Sequence, residues 1–139
     1  MRILERLEKN RSFWFLLIIS VFFFFLRFPS LFEPYWYGDE GIYQTLGLGI
    51  DNGRLLYRDI FDNKPPFLYT LYAILGSDQF LLRLASLIFG LFSLGLFYKL
   101  SQKLLEKNIP SYIATFAFAT LFGLPLIEGN IANAENFML

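Results

Sequence analysis

Apolar positions fall along this chain in three long blocks, separated by stretches in which polar and apolar residues mix. The first block, Phe13 to Leu26, is broken only by Ser20. With its flanks, residues about 12–28, it predicts a helix at the lower end of the roughly 17 to 25 residues that cross a bilayer. The next two blocks predict helices over about 80–100 and about 109–127. Each holds small residues four apart, Ser86 with Gly90 and Ala119 with Gly123, a spacing that lets helix backbones approach closely. Between the first and second blocks, residues 28–79 form a connection far longer than ordinary loops, and one that long is usually structured or functional. Ile42, Tyr43, Leu46 and Ile50 recur there at helical spacing, so a helix is predicted over about 40–50, stopped by Asp51-Asn52-Gly53. A second is predicted over about 66–75, ended by Gly76. Both are too short to cross, and Tyr69 and Tyr72 suit headgroup depth. The expected fold class is all-α integral membrane: three transmembrane helices plus two interfacial helices in the first external loop.

Composition strengthens the lipid reading. The 139 residues are 55% hydrophobic, with 18 Phe and 8 Tyr and a mean hydropathy of +0.46. Twelve basic and twelve acidic side chains balance, which gives no reason to expect nucleic acid as a partner. The chain has no Cys and no His. That excludes disulfides, thiol nucleophiles, imidazole-based triads and zinc sites of the usual N/S kind, and leaves acid/base chemistry to carboxylates. The first block follows a basic head and can be read as a signal peptide or an uncleaved anchor. It ends in Phe22 to Phe25 and then Leu26-Arg27-Phe28-Pro29, with no small-residue cleavage site, which favours the anchor. Arg27 is then expected to snorkel to the interface.

Charge sets the orientation. Arg2, Arg6, Lys9 and Arg11 precede the first block, and Lys99, Lys103 and Lys107 flank the turn between the second and third. Basic residues accumulate on the cytoplasmic side of short loops, so the head and that turn belong inside. The acid-rich segment 28–79 and the tail with Glu128 and Glu135 belong outside, at the plasma membrane.

The external segment carries the candidate chemistry. Asp39 and Glu40 stand where a helix is predicted to begin. Asp39 can be a helix cap there, or a catalytic carboxylate. Lys64, before Pro65-Pro66, can hold a phosphate as a point charge or serve as a headgroup anchor. Arg83 can stabilise a phosphate, pair with an external carboxylate, or snorkel.

The Asp-Glu pair after the first span, the helix ending in Gly, Tyr57-Arg58-Asp59, Asn63-Lys64-Pro65-Pro66 and an Arg opening the next span together resemble the N-terminal part of the C-fold glycosyltransferases. Within that fold they are most similar to the protein O-mannosyltransferases, the lipid A aminoarabinose transferases and the lipopolysaccharide core sugar transferases. The resemblance implies an enzyme that moves a sugar from a polyprenyl-phosphate donor to a hydroxyl of a lipid, glycan or protein acceptor. It implies Asp39 as general base, Glu40 as its acidic neighbour, and Lys64 as a contact of the donor phosphate. Arg58 and Arg83 become further substrate-binding candidates, and Glu135, in Asn133-Ala134-Glu135, matches a second acidic residue after the third span. Among cofactors only a divalent metal comes into question, and Asn63 stands where the aminoarabinose transferases have a metal-binding Glu.

Members of that group are much longer, so the chain is expected to be the N-terminal part of a larger polytopic fold. Activity is expected of the full-length protein. The alternative is a small three-span accessory or structural membrane protein without enzymatic activity.

Overall fold

A computed structural model describes residues 10–34 and 37–138. Arg2, Arg6 and Lys9, which carry part of the orientation argument, lie outside the described residues. The elements are α1 (Arg11–Arg27), a 3-10 turn (Phe28–Leu31), α2 (Gly38–Asp51), α3 (Pro66–Ile74), α4 (Gln79–Leu105), α5 (Asn108–Gly123), a second 3-10 turn (Pro125–Ile127) and α6 (Ala134–Met138). No strand is present among the described residues. The stretches Arg11–Leu31 and Gln79–Leu105 are long and apolar enough to cross a membrane.

Local chemistry explains the boundaries. Asn10 caps α1 by accepting from the Ser12 and Phe13 amides, and Asp78 caps α4 by accepting from Leu81 at 2.9 Å. Gly53 and Gly76 adopt φ of +79° and +63° just beyond α2 and α3, the left-handed conformation that ends helices most readily in glycine. The third apolar block behaves differently from its hydropathy. Expected as one helix over 109–127, it is helical only to Gly123. Leu124 precedes a proline and is extended (φ −92°, ψ 155°), as the Pro ring demands of its neighbour. At 16 residues α5 is about 24 Å long, short of the roughly 30 Å hydrocarbon core.

Helices α1, α4 and α5 form a bundle around Ile19, Phe23, Leu94, Ala119 and Phe122. The small-residue pairs do face neighbours in it. A Cβ on Gly90 would come within 2.8 Å of the Phe23 ring, and one on Gly123 within 2.9 Å of Leu26. A second apolar cluster, Tyr43, Leu46, Leu68, Tyr69, Tyr72 and Leu82 with Ala132, Ala134 and Phe137, joins α2 and α3 to the end of the chain.

Along α1 and α4, polar residues separate the two clusters. Arg27, expected to snorkel, is instead fully buried. It donates to the Gly129 carbonyl and, at 2.8 Å, to Ser86 Oγ, and lies 5.8 Å from the Phe23 ring centre. The reason is the path of residues 129–134, all buried, which return between α2, α3 and α4. Side chains satisfy their backbone: Ser86 donates to Ile131 O, Tyr72 to Ala132 O and Asn136 to Ile131 O, while Glu40 accepts from Ala132 N. A buried irregular segment needs such partners for each polar group.

The start of α1 and the turn between α4 and α5 meet at one end of the bundle. Asn10, Arg11, Glu106, Lys107 and Tyr112 line one cleft of about 990 Å³. The 37–78 and 124–138 segments lie at the other end of the bundle, with Asp39 and Lys64. That cleft is therefore remote from the candidate chemistry.

Candidate functional site

Asp39 lies in the first turn of α2 rather than at its cap. Tyr37 occupies the cap position and makes no side-chain capping bond. The capping alternative for Asp39 thus gives way to an interior first-turn position, where the carboxylate still faces the positive end of the helix dipole. Half-buried, Asp39 accepts at Oδ2 from the Tyr43 hydroxyl, one turn on, at 3.3 Å.

Glu40 points the other way and is 1% exposed. Arg83 grips it bidentately, Nε to Oε1 at 3.0 Å and Nη2 to Oε2 at 2.7 Å. Arg83 also donates to the Ser30 and Glu33 carbonyls at 2.6 and 2.7 Å. Of the three readings of Arg83, pairing with a carboxylate is the one the geometry realises. Glu40 and Arg83 bind one another and the backbone around them.

Lys64 reaches the candidate site from the other side. Its Nζ sits 3.2 Å from Glu135 Oε1, across 71 positions of sequence. Its backbone is held on both sides: the amide donates to the Tyr69 hydroxyl at 3.0 Å, and the carbonyl accepts from Tyr57 at 2.6 Å. Tyr69 in turn donates to Asp62 Oδ2 at 2.8 Å. Burial and then that bond to Asp62 push the Tyr69 hydroxyl well up from its ordinary value.

Asn133 closes the ring, its Oδ1 lying 3.3 Å from the Tyr43 hydroxyl. Tyr37 reaches Glu128, whose acceptance of its hydrogen bond, with some burial, pushes the hydroxyl up to about 12. Arg58 is not among these groups. It pairs with its neighbour Asp59 at 2.8 Å with a side chain 69% exposed, and beside it the Asp59 carboxyl is held below its usual range.

A run of contacts thus links Asp39 to Tyr43 and Asn133 and, through the Tyr43–Tyr69 ring contact, to Lys64 and its partner Glu135, while Glu40 pairs with Arg83 and Arg58 with Asp59. Sequence reasoning missed Tyr43 and Asp62. The signal for Tyr43 was its i+4 spacing from Asp39 on one helix face, obscured because tyrosine also counted toward the apolar pattern. No three His, Cys, Asp or Glu side chains converge closely enough to hold a metal among the described residues.

Compared with models of protein families, with curated proteins and with solved structures, the chain matches none.

Proposed function

We propose that this chain is the N-terminal part of a membrane glycosyltransferase that takes a sugar from a polyprenyl-phosphate donor at the outer membrane face. The observation that carries the reading is that three separate segments join in one polar network, in which Tyr43 binds Asp39 and Asn133, and Lys64, held by Tyr69, pairs with Glu135. A solvated loop has no need of that convergence. The two helices long and apolar enough to cross a membrane support the setting. So do the exposed apolar side chains on all three bundle helices, such as Ile18, Phe25, Phe92, Ile113 and Phe116, which suit lipid. In this reading α5 and its terminal 3-10 turn make the third crossing, α2 and α3 lie in the outer interface of the plasma membrane, and the N-terminus is cytoplasmic.

The chemistry follows from the charges. Asp39 takes the proton of the acceptor hydroxyl as that oxygen bonds to the sugar's anomeric carbon. The bond from that carbon to the phosphate oxygen breaks, and the lipid phosphate leaves as an anion. Lys64, exchanging Glu135 for phosphate oxygen, stabilises the departing charge. Glu40 and Arg83 position the first turn of α2.

The test is Asp39→Asn in the full-length protein, expressed in cells that lack their own copy. An amide cannot take the proton, and loss of a general base costs roughly 10²- to 10⁴-fold in rate. Lipid extracts are expected to show the polyprenyl-phosphate sugar accumulating, and Lys64→Ala to weaken use of the same donor. Unchanged polyprenyl-phosphate pools in the Asp39 variant and in cells lacking the protein altogether favour the accessory-protein alternative.

A further inference from the structure

Tyr43 has one proton to donate and two acceptors at equal distance. Its ring is 1% exposed and held edge-on against Tyr69 and Tyr72, with centroids 6.0 and 5.8 Å away. The hydroxyl therefore stays in place, and its hydrogen can only rotate about the C–O bond. Asp39 Oδ2 and Asn133 Oδ1 each lie 3.3 Å from it. The amide oxygen of Asn133 is identified by the Ala134 N–H, which donates to it at 2.7 Å, so the atom facing Tyr43 is an acceptor. Burial, with the charges of Asp39 and Glu135, pushes the Tyr43 hydroxyl well up from its ordinary value, and it stays a neutral donor.

A charged carboxylate accepts and cannot donate, whereas a protonated one carries a donor of its own. We propose that Tyr43 is a positioning residue whose hydroxyl alternates between two acceptors, pointing to Asp39 while that carboxylate is charged and to Asn133 once Asp39 holds a proton. In the second state the Asp39 O–H donates to the Tyr43 oxygen. No proton leaves Tyr43, no covalent bond changes there, and Tyr43, Asp39 and Asn133 each keep a partner in both states. The proton on Asp39 comes from the acceptor hydroxyl during transfer, or from solvent in the resting protein. The use of this switch in catalysis rests on the glycosyltransferase reading; the switch itself needs only solvent protons.

Other titratable or charged groups face the pair: Tyr37 before α2, Asp62 and Lys64 from the loop, Tyr69 and Tyr72 from α3, and Glu128 and Glu135 from the last segment. Two substitutions leave all of these in place and act on opposite arms. Tyr43→Phe removes the donor that favours charged Asp39. Asn133→Ser keeps a short polar side chain near the Ala134 N–H but withdraws the acceptor that lets Tyr43 turn away from protonated Asp39.

The experiment is a pH titration of the Asp39 side-chain carbon by ¹³C NMR in detergent micelles, with the signal assigned by its loss in Asp39→Asn. Relative to the unsubstituted protein, Tyr43→Phe is expected to move the midpoint up and Asn133→Ser to move it down, each by about half to one pH unit. Shifts in the same direction, or no shift in Asn133→Ser, overturn the proposal. If Tyr43→Phe does not fold, the downward shift in Asn133→Ser still decides. Opposite shifts in a protein that transfers no sugar leave the switch standing and remove the enzyme reading; transfer without the shifts does the reverse.

Discussion

Asp39 and Glu40 are adjacent carboxylates, yet one helical step of about 100° sends them into different environments. Asp39 meets a phenol and is half-buried; Glu40 meets an arginine in the buried interior. Removing one partner of a buried pair leaves the other charge uncompensated, at a cost of about 3–5 kcal/mol, whereas replacing both with apolar groups is far milder. Glu40→Gln is therefore expected to lower the unfolding midpoint in detergent sharply, and Glu40→Leu with Arg83→Met to recover much of that loss. A Glu40→Gln protein as stable as the original contradicts the buried pair. Asp39→Asn is expected to keep its stability, since no buried cation depends on it. Neither fate is written in the dipeptide itself, because the partner of Glu40 lies 43 positions away.

At the scale of elements, α2 and α3 meet through one glycine. A Cβ at Gly47 would stand 2.8 Å from Tyr72 Cβ and 2.8 Å from Ser77 Oγ, distances that force the two helices apart. Gly47→Ala is expected to destabilise the protein by about 1–3 kcal/mol, the usual range for overpacking. It is also expected to loosen the bond from the Tyr72 hydroxyl to the Ala132 carbonyl, read as a shift of that carbonyl's ¹³C resonance. A Gly47→Ala protein that keeps both values unchanged refutes the close approach. The existence of α1 to α4 was legible from apolar blocks, spacing and the stops at Gly53 and Gly76, because each of these signals is local, but α4 runs to Leu105, past its expected end near residue 100. Three features were not legible. Hydropathy runs unbroken through Leu124, Leu126 and Ile127, which hid the Pro125 break in α5. Arg27 at the end of an apolar block has the same sequence signature whether it snorkels or is buried. Residues 129–134, with Asn130 and Asn133 among them, have the composition of a solvated loop, and only distant side chains make their burial tolerable. In the candidate site, the residue types were legible, but their meeting was not, since it depends on that returning segment.

For the whole molecule, the proposed orientation is testable because the chain contains no cysteine. Arg58→Cys and Lys103→Cys, both at exposed positions, are expected to react with an impermeant thiol reagent from opposite sides of sealed membranes. Labelling of both from one side ends the three-span arrangement. The returning segment also has a consequence in time. During synthesis α1 and α4 are made before residues 129–134, so Arg27 lacks the carbonyl of Gly129 and Glu40 lacks the amide of Ala132 until those residues arrive. A membrane helix with a charge still waiting for its partner is tolerated only while water or other protein shields it. The acid-rich patch therefore matures late. Asp39, Asp62 and Lys64 emerge early on the chain, but they remain unassembled until residues 129–134 and Glu135 follow and fold back among α2, α3 and α4.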